Sequence, residues 1–137
     1  MPRGAPAARA RRARRGLGPR RAGQDFPMHH ETRIVKRSDA ATGSRGEKLM
    51  AHGDGVALRV WEREPEGETS DEHSNSYEYV AYVAAGALRV RIGEDEATEV
   101  RAGDSYVVPA ETPYAFEVLE AATVVEAVSP ADALRGS

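Results

Sequence analysis

Two stretches of the sequence decide the fold: GETSDEHSNSYEYVAYVAAG at positions 67–86 and GDSYVVPAETPYAF at positions 103–116. Within each, apolar side chains recur at every second position, which is the pattern of a β-strand with one buried face. Gly86 and Pro109 interrupt this pattern, and such residues mark turns. The two stretches therefore predict short strands connected by tight turns.

The same alternation extends outward over most of residues 56–128. It predicts strands at 56–63, 77–84, 88–92, 98–101, 105–108, 114–119 and 123–128, with a hairpin turn at 93–95 and a helical turn at 130–134. No stretch carries the long apolar stripe of an amphipathic helix. Strands at intervals of about ten residues, with Gly and Pro between them, predict an all-β antiparallel sandwich or barrel.

The two stretches resemble the paired motifs of the cupins, which are small jelly-roll barrels. The first cupin motif reads Gly, five residues, His-x-His, three or four residues, Glu, six residues, Gly. The second reads Gly-Asp, four residues, Pro, one residue, Gly, two residues, His. The spacing here follows both, and the sequence is similar to the single-domain cupins related to the pectin-degradation protein KdgF. The resemblance implies an antiparallel jelly-roll (cupin) barrel over residues 28–137.

Cupins of this type bind one divalent metal through the two His and the Glu or Gln of the first motif and the His of the second. This chain keeps only the first His, as His73, and has Asn75, Tyr79 and Tyr114 at the other three positions. First-row metals need three or four N, O or S donors, and neutral phenol and amide oxygens are poor ligands beside imidazole and carboxylate. We therefore predict no tightly bound metal, with a divalent metal as the alternative. Glu111 also replaces the second-motif glycine, so this turn loses the freedom of glycine at positive φ.

The residues at the four ligand positions are our candidate ligand-binding residues: His73, Asn75, Tyr79 and Tyr114. Strand parity places the first three on one face, opposite Glu78. Together they offer an imidazole, an amide and two phenols. We predict that they bind a small polar organic ligand, a sugar or a cyclic metabolite, in the barrel mouth.

Two alternatives stay open. The chain could be an enzyme of the isomerase or oxygenase type, either metal-dependent, as the resemblance allows, or metal-free with His73 as the catalytic acid or base. It could instead be a structural or regulatory dimer whose barrel is filled by Tyr79 and Tyr114. Trp61 is interpreted as core or interface packing, and the acidic segment 64–72 as a solvated loop that could act as a lid.

Residues 1–27 are of a different kind, with eight arginines and Asp25 as the one acid. Large apolar side chains are too few there to support a fold, so we expect a disordered arm. GC-rich codons translated upstream of the true start would give the same composition, which makes Met28 a candidate start. The alternative is a working basic arm that binds nucleic acid.

The rest of the composition restricts the classes of partner that the chain can have. The chain has no cysteine, which excludes disulfides and thiolate metal sites. No apolar run reaches the roughly 18–20 residues of a membrane span, so no membrane partner is expected. Residues 28–137 carry an acidic excess, so nucleic acid is a partner only if the arm is expressed. Exposed strand edges favour a homodimer, and we expect a cytoplasmic location.

Overall fold

The structure, a computed structural model, describes residues 34–134. In this part of the chain the elements are seven strands, β1 (Ala41–Thr42), β2 (Lys48–His52), β3 (Ala57–Glu64), β4 (Glu78–Ile92), β5 (Thr98–Arg101), β6 (Ser105–Val108) and β7 (Tyr114–Ser129), and two 3-10 helices, Arg37–Asp39 and Ala131–Leu134. Neither helix is long or apolar enough to cross a bilayer. The predicted arm, residues 1–27, and the candidate start at Met28 lie outside the described residues.

Every strand pair is antiparallel, and the strand order is β1-β2-β3-β7-β4-β5. The 15 residues of β4 and the 16 residues of β7 run side by side through the whole barrel. β6 pairs with the first half of β4, and β5 pairs with its second half. The first half of the barrel therefore contains β3, β6, residues 78–85 of β4 and residues 122–129 of β7. The second half contains β5, residues 86–92 of β4 and residues 114–121 of β7. This arrangement confirms the predicted all-β antiparallel jelly-roll.

The sequence pattern predicted breaks near 84–88 and 119–123, and both predictions were wrong. β4 and β7 continue through these points with shifts in their pairing register. Gly86 has a φ of 82°, and a Cβ at this position would collide with the Ala121 carbonyl oxygen. Glycine is therefore needed here because the two long strands bend and approach closely, and it does not end the strand.

Side chains from both halves of the barrel form a continuous core. It includes Tyr79, Ala81, Val83, Leu88, Val90, Val108, Tyr114, Val118, Val124 and Val128. β3 buries Ala57 and Arg59, whereas Val56 is 51% exposed. The interior face of β3 is therefore the one with fewer aliphatic side chains, and it brings a charged residue into the barrel.

Candidate functional site

The candidate site is a cavity of about 240 Å³ inside the barrel. Its walls come from β3, β4, β6 and β7, and segment 64–70 together with His73 adds to its rim. A barrel of this size encloses either packed side chains or one small ligand. The geometry of the wall therefore decides which of the two is present.

Segment 64–72, which was expected to be a solvated loop, is held against the first half of β7. The Ser70 N–H donates to the Phe116 carbonyl oxygen at 3.0 Å. His73 and Tyr114 exchange two backbone hydrogen bonds, of 3.1 and 2.8 Å. Residues 67–73 thus form an added edge beside residues 114–118 of β7, and that edge fixes the position of His73.

The His73 ring presents a free hydrogen-bond acceptor. Its Nδ1 lies 3.0 Å from the Asp71 carbonyl oxygen. Because a carbonyl oxygen can only accept, Nδ1 carries the hydrogen and Nε2 of the neutral ring keeps its lone pair. Nε2 is buried and has no hydrogen-bond partner among residues 34–134.

The structure brings the four predicted site residues together. The Tyr114 ring lies 4.4 Å from the His73 ring and 5.8 Å, edge to face, from the Tyr79 ring. Asn75 Nδ2 donates to the Tyr114 hydroxyl at 3.3 Å. His73, Tyr79 and Tyr114 line the cavity, whereas Asn75 reaches it only through Tyr114. The role of these residues in binding a ligand stays a prediction.

Two of the phenols on the wall are fixed as hydrogen-bond donors. Burial raises the pKa of Tyr79 far above its ordinary value, and the negative charge of Glu126 adds to the rise. The same two causes raise the pKa of Tyr106. Both hydroxyls therefore keep their protons across the physiological pH range.

A buried ion pair that the sequence did not predict lies in the cavity wall. Arg59 on β3 and Glu126 on β7 are direct cross-strand partners, and Arg59 Nε donates to Glu126 Oε1 at 2.5 Å. Their side chains are only 4% and 6% exposed. Burial raises the pKa of the Glu126 carboxyl, and the positive charge of Arg59 opposes that rise.

Aromatic residues surround the Arg59 guanidinium. Its central carbon lies between 5.4 and 5.7 Å from the ring centroids of Trp61, Tyr77 and Tyr79. Its NH1 also donates to the Tyr77 hydroxyl at 3.3 Å. Trp61, predicted as core or interface packing, packs on the core and lines the cavity.

The turn before β7 keeps a left-handed backbone without glycine. Glu111 has a φ of 59°, and its N–H donates to the Asn75 carbonyl oxygen at 2.7 Å. This conformation costs a residue with a Cβ about 1–2 kcal/mol. The turn therefore holds the ends of the two motifs together despite the substitution.

Comparison with known proteins places this geometry in a family. The model of the cupin domain matches residues 59–128. The chain belongs to the cupin family. A search of curated proteins gives no significant match.

Several solved cupin structures are similar to this chain. KdgF from Halomonas sp. is 22% identical with a TM-score of 0.61, over 72% of this chain and 94% of that one. An RmlC-like cupin from Shewanella frigidimarina is 17% identical with a TM-score of 0.65, over 76% and 96%. A variant of Bacillus subtilis oxalate decarboxylase is 18% identical with a TM-score of 0.63, over 81% of this chain and 32% of that one. At these identities the likeness concerns the fold.

The donor groups present do not fit the divalent metal that the cupin resemblance implies. Within residues 34–134 no three His, Cys, Asp or Glu side chains come close enough to hold an ion. His73 is the one imidazole on the described cavity wall, and the Glu126 carboxylate is bound to Arg59. A first-row metal needs three or four such donors.

Proposed function

We propose that the barrel binds a small polar organic ligand in its cavity without the help of a divalent metal. The observation that carries the proposal is the His73 Nε2, a buried acceptor on the cavity wall with no protein partner in the described structure. Leaving a buried polar atom unpaired costs about 1–3 kcal/mol. A ligand hydroxyl or N–H that donates to this nitrogen would recover much of that cost.

The size of the cavity supports a ligand over a filled barrel. Its volume is about 240 Å³ even though Tyr79 and Tyr114 occupy metal-ligand positions of the motif. Drug-sized ligands occupy sites of roughly 300–1,000 Å³. The ligand is therefore a compact molecule, in keeping with a sugar or a cyclic metabolite.

The test is ligand-observed NMR with purified protein before and after EDTA dialysis. The probes are a panel of monosaccharides, uronates and hydroxylated cyclic acids. We expect at least one compound to bind with the same affinity in both samples. Binding that disappears with EDTA and returns with a divalent metal, or no binding by any compound, contradicts the proposal.

His73→Phe tests the role of the free nitrogen. Phenylalanine keeps a ring against Tyr114 and removes the acceptor, so affinity should fall about tenfold, the cost of one lost hydrogen bond. His52→Phe is the matched control, because His52 Nε2 is also buried without a partner but His52 does not line the cavity. Equal affinity in the wild type and His73→Phe would rule out this contact.

The same nitrogen favours an enzyme as the second candidate function. A neutral His73 Nε2 could accept a proton from a bound ligand, as a metal-free isomerisation requires. In that case His73→Phe would abolish turnover of a compound that the variant still binds. A compound that binds to the wild-type protein and is still chemically unchanged after several hours argues for binding without catalysis.

We propose that the assembly is a homodimer formed through the outer face of β3, β7, β4 and β6. Cross-strand neighbours form one apolar row of Leu58, Ala127, Val80 and Val107, and a second row of Val60, Val125 and Tyr82. Val80, Tyr82 and Val107 are each about half exposed, and the groove on this face, of about 490 Å³, has no charged residue in its described lining. An uncharged apolar face can be buried against its own copy under a two-fold axis without repulsion, whereas an acidic surface repels its copy.

A cytoplasmic location and nucleic-acid binding by residues 1–27 remain proposals from the sequence. Deletion of residues 1–27 tests the second. If the arm binds nucleic acid, the full chain should bind DNA with an affinity that falls as salt rises, and the deleted chain should not bind. Equal behaviour of the two chains contradicts it.

A further inference from the structure

We propose that the ligand of this cavity is an uncharged polyhydroxylated ring of about monosaccharide size, which rests on the proposed function. The charge state of the ligand follows from the environment of Arg59 and from the charges around the cavity. Its hydroxyl groups follow from the mixture of donors and acceptors on the wall.

Arg59 is a poor receptor for an anion because its positive charge is already paired. Arginine binds carboxylate or phosphate through two parallel N–H bonds and an uncompensated positive charge. Here Nε is used by Glu126 and one NH1 hydrogen by the Tyr77 hydroxyl. The charge is already compensated by a buried carboxylate, and an incoming anion would meet that carboxylate at the same place.

The charges on the rim also disfavour an anion. The charged residues that line the cavity are Arg45, Arg59, Glu64, Glu68 and Glu126, which gives one more acid than base. Burial raises the pKa of Glu64, and the negative charge of Glu68 contributes to the rise. An anionic ligand would have to pass two acids, against the single base Arg45, to reach an arginine that is already paired.

The remaining groups match hydroxyls. Arg59 keeps unused N–H hydrogens, Tyr79 and Tyr106 are protonated phenols, and His73 Nε2 is an acceptor. A hydroxyl can donate and accept at once, so several hydroxyls on one ring can satisfy such a wall. A carboxylate placed against His73 Nε2 can only accept, so it would leave that nitrogen unpaired. The aromatic faces, Trp61 among them, suit the apolar face of a sugar ring.

The test uses matched pairs of compounds that differ only at C6, which is a hydroxymethyl group in one and a carboxylate in the other: glucose and glucuronate, galactose and galacturonate, mannose and mannuronate. Binding of each is measured by ligand-observed NMR and by thermal shift at constant ionic strength. We expect the neutral member of at least one pair to bind about tenfold or more tighter than its uronate. A uronate that binds tighter than every neutral sugar overturns this inference and leaves the proposed function standing. A polar ligand from outside these pairs also overturns the inference if that ligand is anionic or has no hydroxyl groups.

A rim variant checks the electrostatic argument without touching the buried pair. Glu64→Gln/Glu68→Gln should shift the ratio of uronate to neutral affinity toward the uronate by about fivefold, because two partly exposed charges are removed. The matched control is Glu66→Gln/Glu94→Gln, which removes two acids that do not line the cavity and should leave the ratio unchanged. An equal ratio in the wild type and both variants contradicts the argument.

Discussion

The two halves of the barrel have opposite polarity. In the first half, the outer face of β3, β7, β4 and β6 is apolar, and the inner face contains the buried pair Arg59–Glu126. In the second half, the inner face carries aliphatic residues such as Leu88 and Val118. Its outer face carries exposed ion pairs: Arg89 with Glu117 at 2.7 Å, Arg91 with Glu72 at 3.5 Å, and Arg101 with Glu99 and Glu120.

This difference teaches that the two outer faces differ in polarity, and only the apolar one fits the proposed homodimer interface. Charged residues are normal on a sheet face in contact with water, and the second half follows that rule. A contiguous apolar face on a small domain instead marks a surface that another molecule covers. The inward-facing ion pair of the first half, in turn, is the charged part of the wall of the proposed ligand cavity.

The largest expected effect comes from breaking the buried pair. Glu126→Ala should lower the free energy of unfolding by about 3–5 kcal/mol, because Arg59 is left charged and buried without a partner. Glu117→Ala, which breaks the exposed pair with Arg89, should cost about 0–1 kcal/mol. Urea denaturation of both variants measures the two values.

The same comparison has an internal check. Replacing both partners, as Arg59→Met/Glu126→Leu, should recover most of the lost stability while removing the polar wall of the cavity. Equal losses of unfolding free energy for Glu126→Ala and Glu117→Ala would show that the buried ion pair and the exposed ion pair do not differ in their contribution to stability.

The next largest loss of stability is expected at Gly86, where β4 passes from the first half of the barrel to the second. Gly86→Ala should destabilise the fold by about 2–4 kcal/mol, since it adds a Cβ at positive φ and a collision with the Ala121 carbonyl oxygen. Gly103→Ala is the control, because its φ is also positive but nothing lies near the added Cβ. Thermal denaturation should show the larger loss for Gly86→Ala, and a similar loss in both would remove the close approach as the cause.

A charge on the apolar outer face should break the dimer. Val80→Glu should weaken self-association by about 2 kcal/mol, or about 30-fold in Kd, because the carboxylate is buried against its copy. Arg89→Glu on the charged outer face should leave the association unchanged. Sedimentation velocity over a range of concentrations distinguishes them, and a wild type that stays monomeric at every concentration would contradict the dimer.

The smallest effect tests the turn that leads into the second half. Glu111→Gly should raise the free energy of unfolding by about 1 kcal/mol, because glycine adopts the left-handed conformation without strain. This net value already allows for the greater conformational freedom of glycine in the unfolded chain, which opposes the gain. Glu111→Ala, which keeps the Cβ, should give no such gain. Stabilisation by both variants would assign the effect to the charge of Glu111 and not to its backbone.

Much of the fold could be predicted from the sequence because several local signals agree. The motif spacing, the turn residues and the strand alternation all point to the same antiparallel barrel. The continuity of β4 and β7 could not be predicted, because glycine at position 86 is equally expected at the end of a strand and at a tight bend. The close approach to Ala121 depends on a residue 35 positions away, which no local pattern contains.

The site was predicted only in part, for a related reason. The motif positions identified His73, Asn75, Tyr79 and Tyr114, which do lie together. The Arg59–Glu126 pair was missed because the run around Glu126 is apolar at both parities, so alternation does not show which face is buried. A single acid within such a run was the available signal, since charged residues rarely lie in a buried strand without a partner.

The long strands have a consequence for how the domain unfolds. Since β4 and β7 belong to both halves, neither half can lose its hydrogen bonds while the other keeps a complete sheet. We therefore expect amide exchange in the centre of these two strands to occur only through global opening, with one common free energy of opening. A ligand bound in the cavity should then slow exchange across the whole barrel, including strand β5, which does not line the cavity.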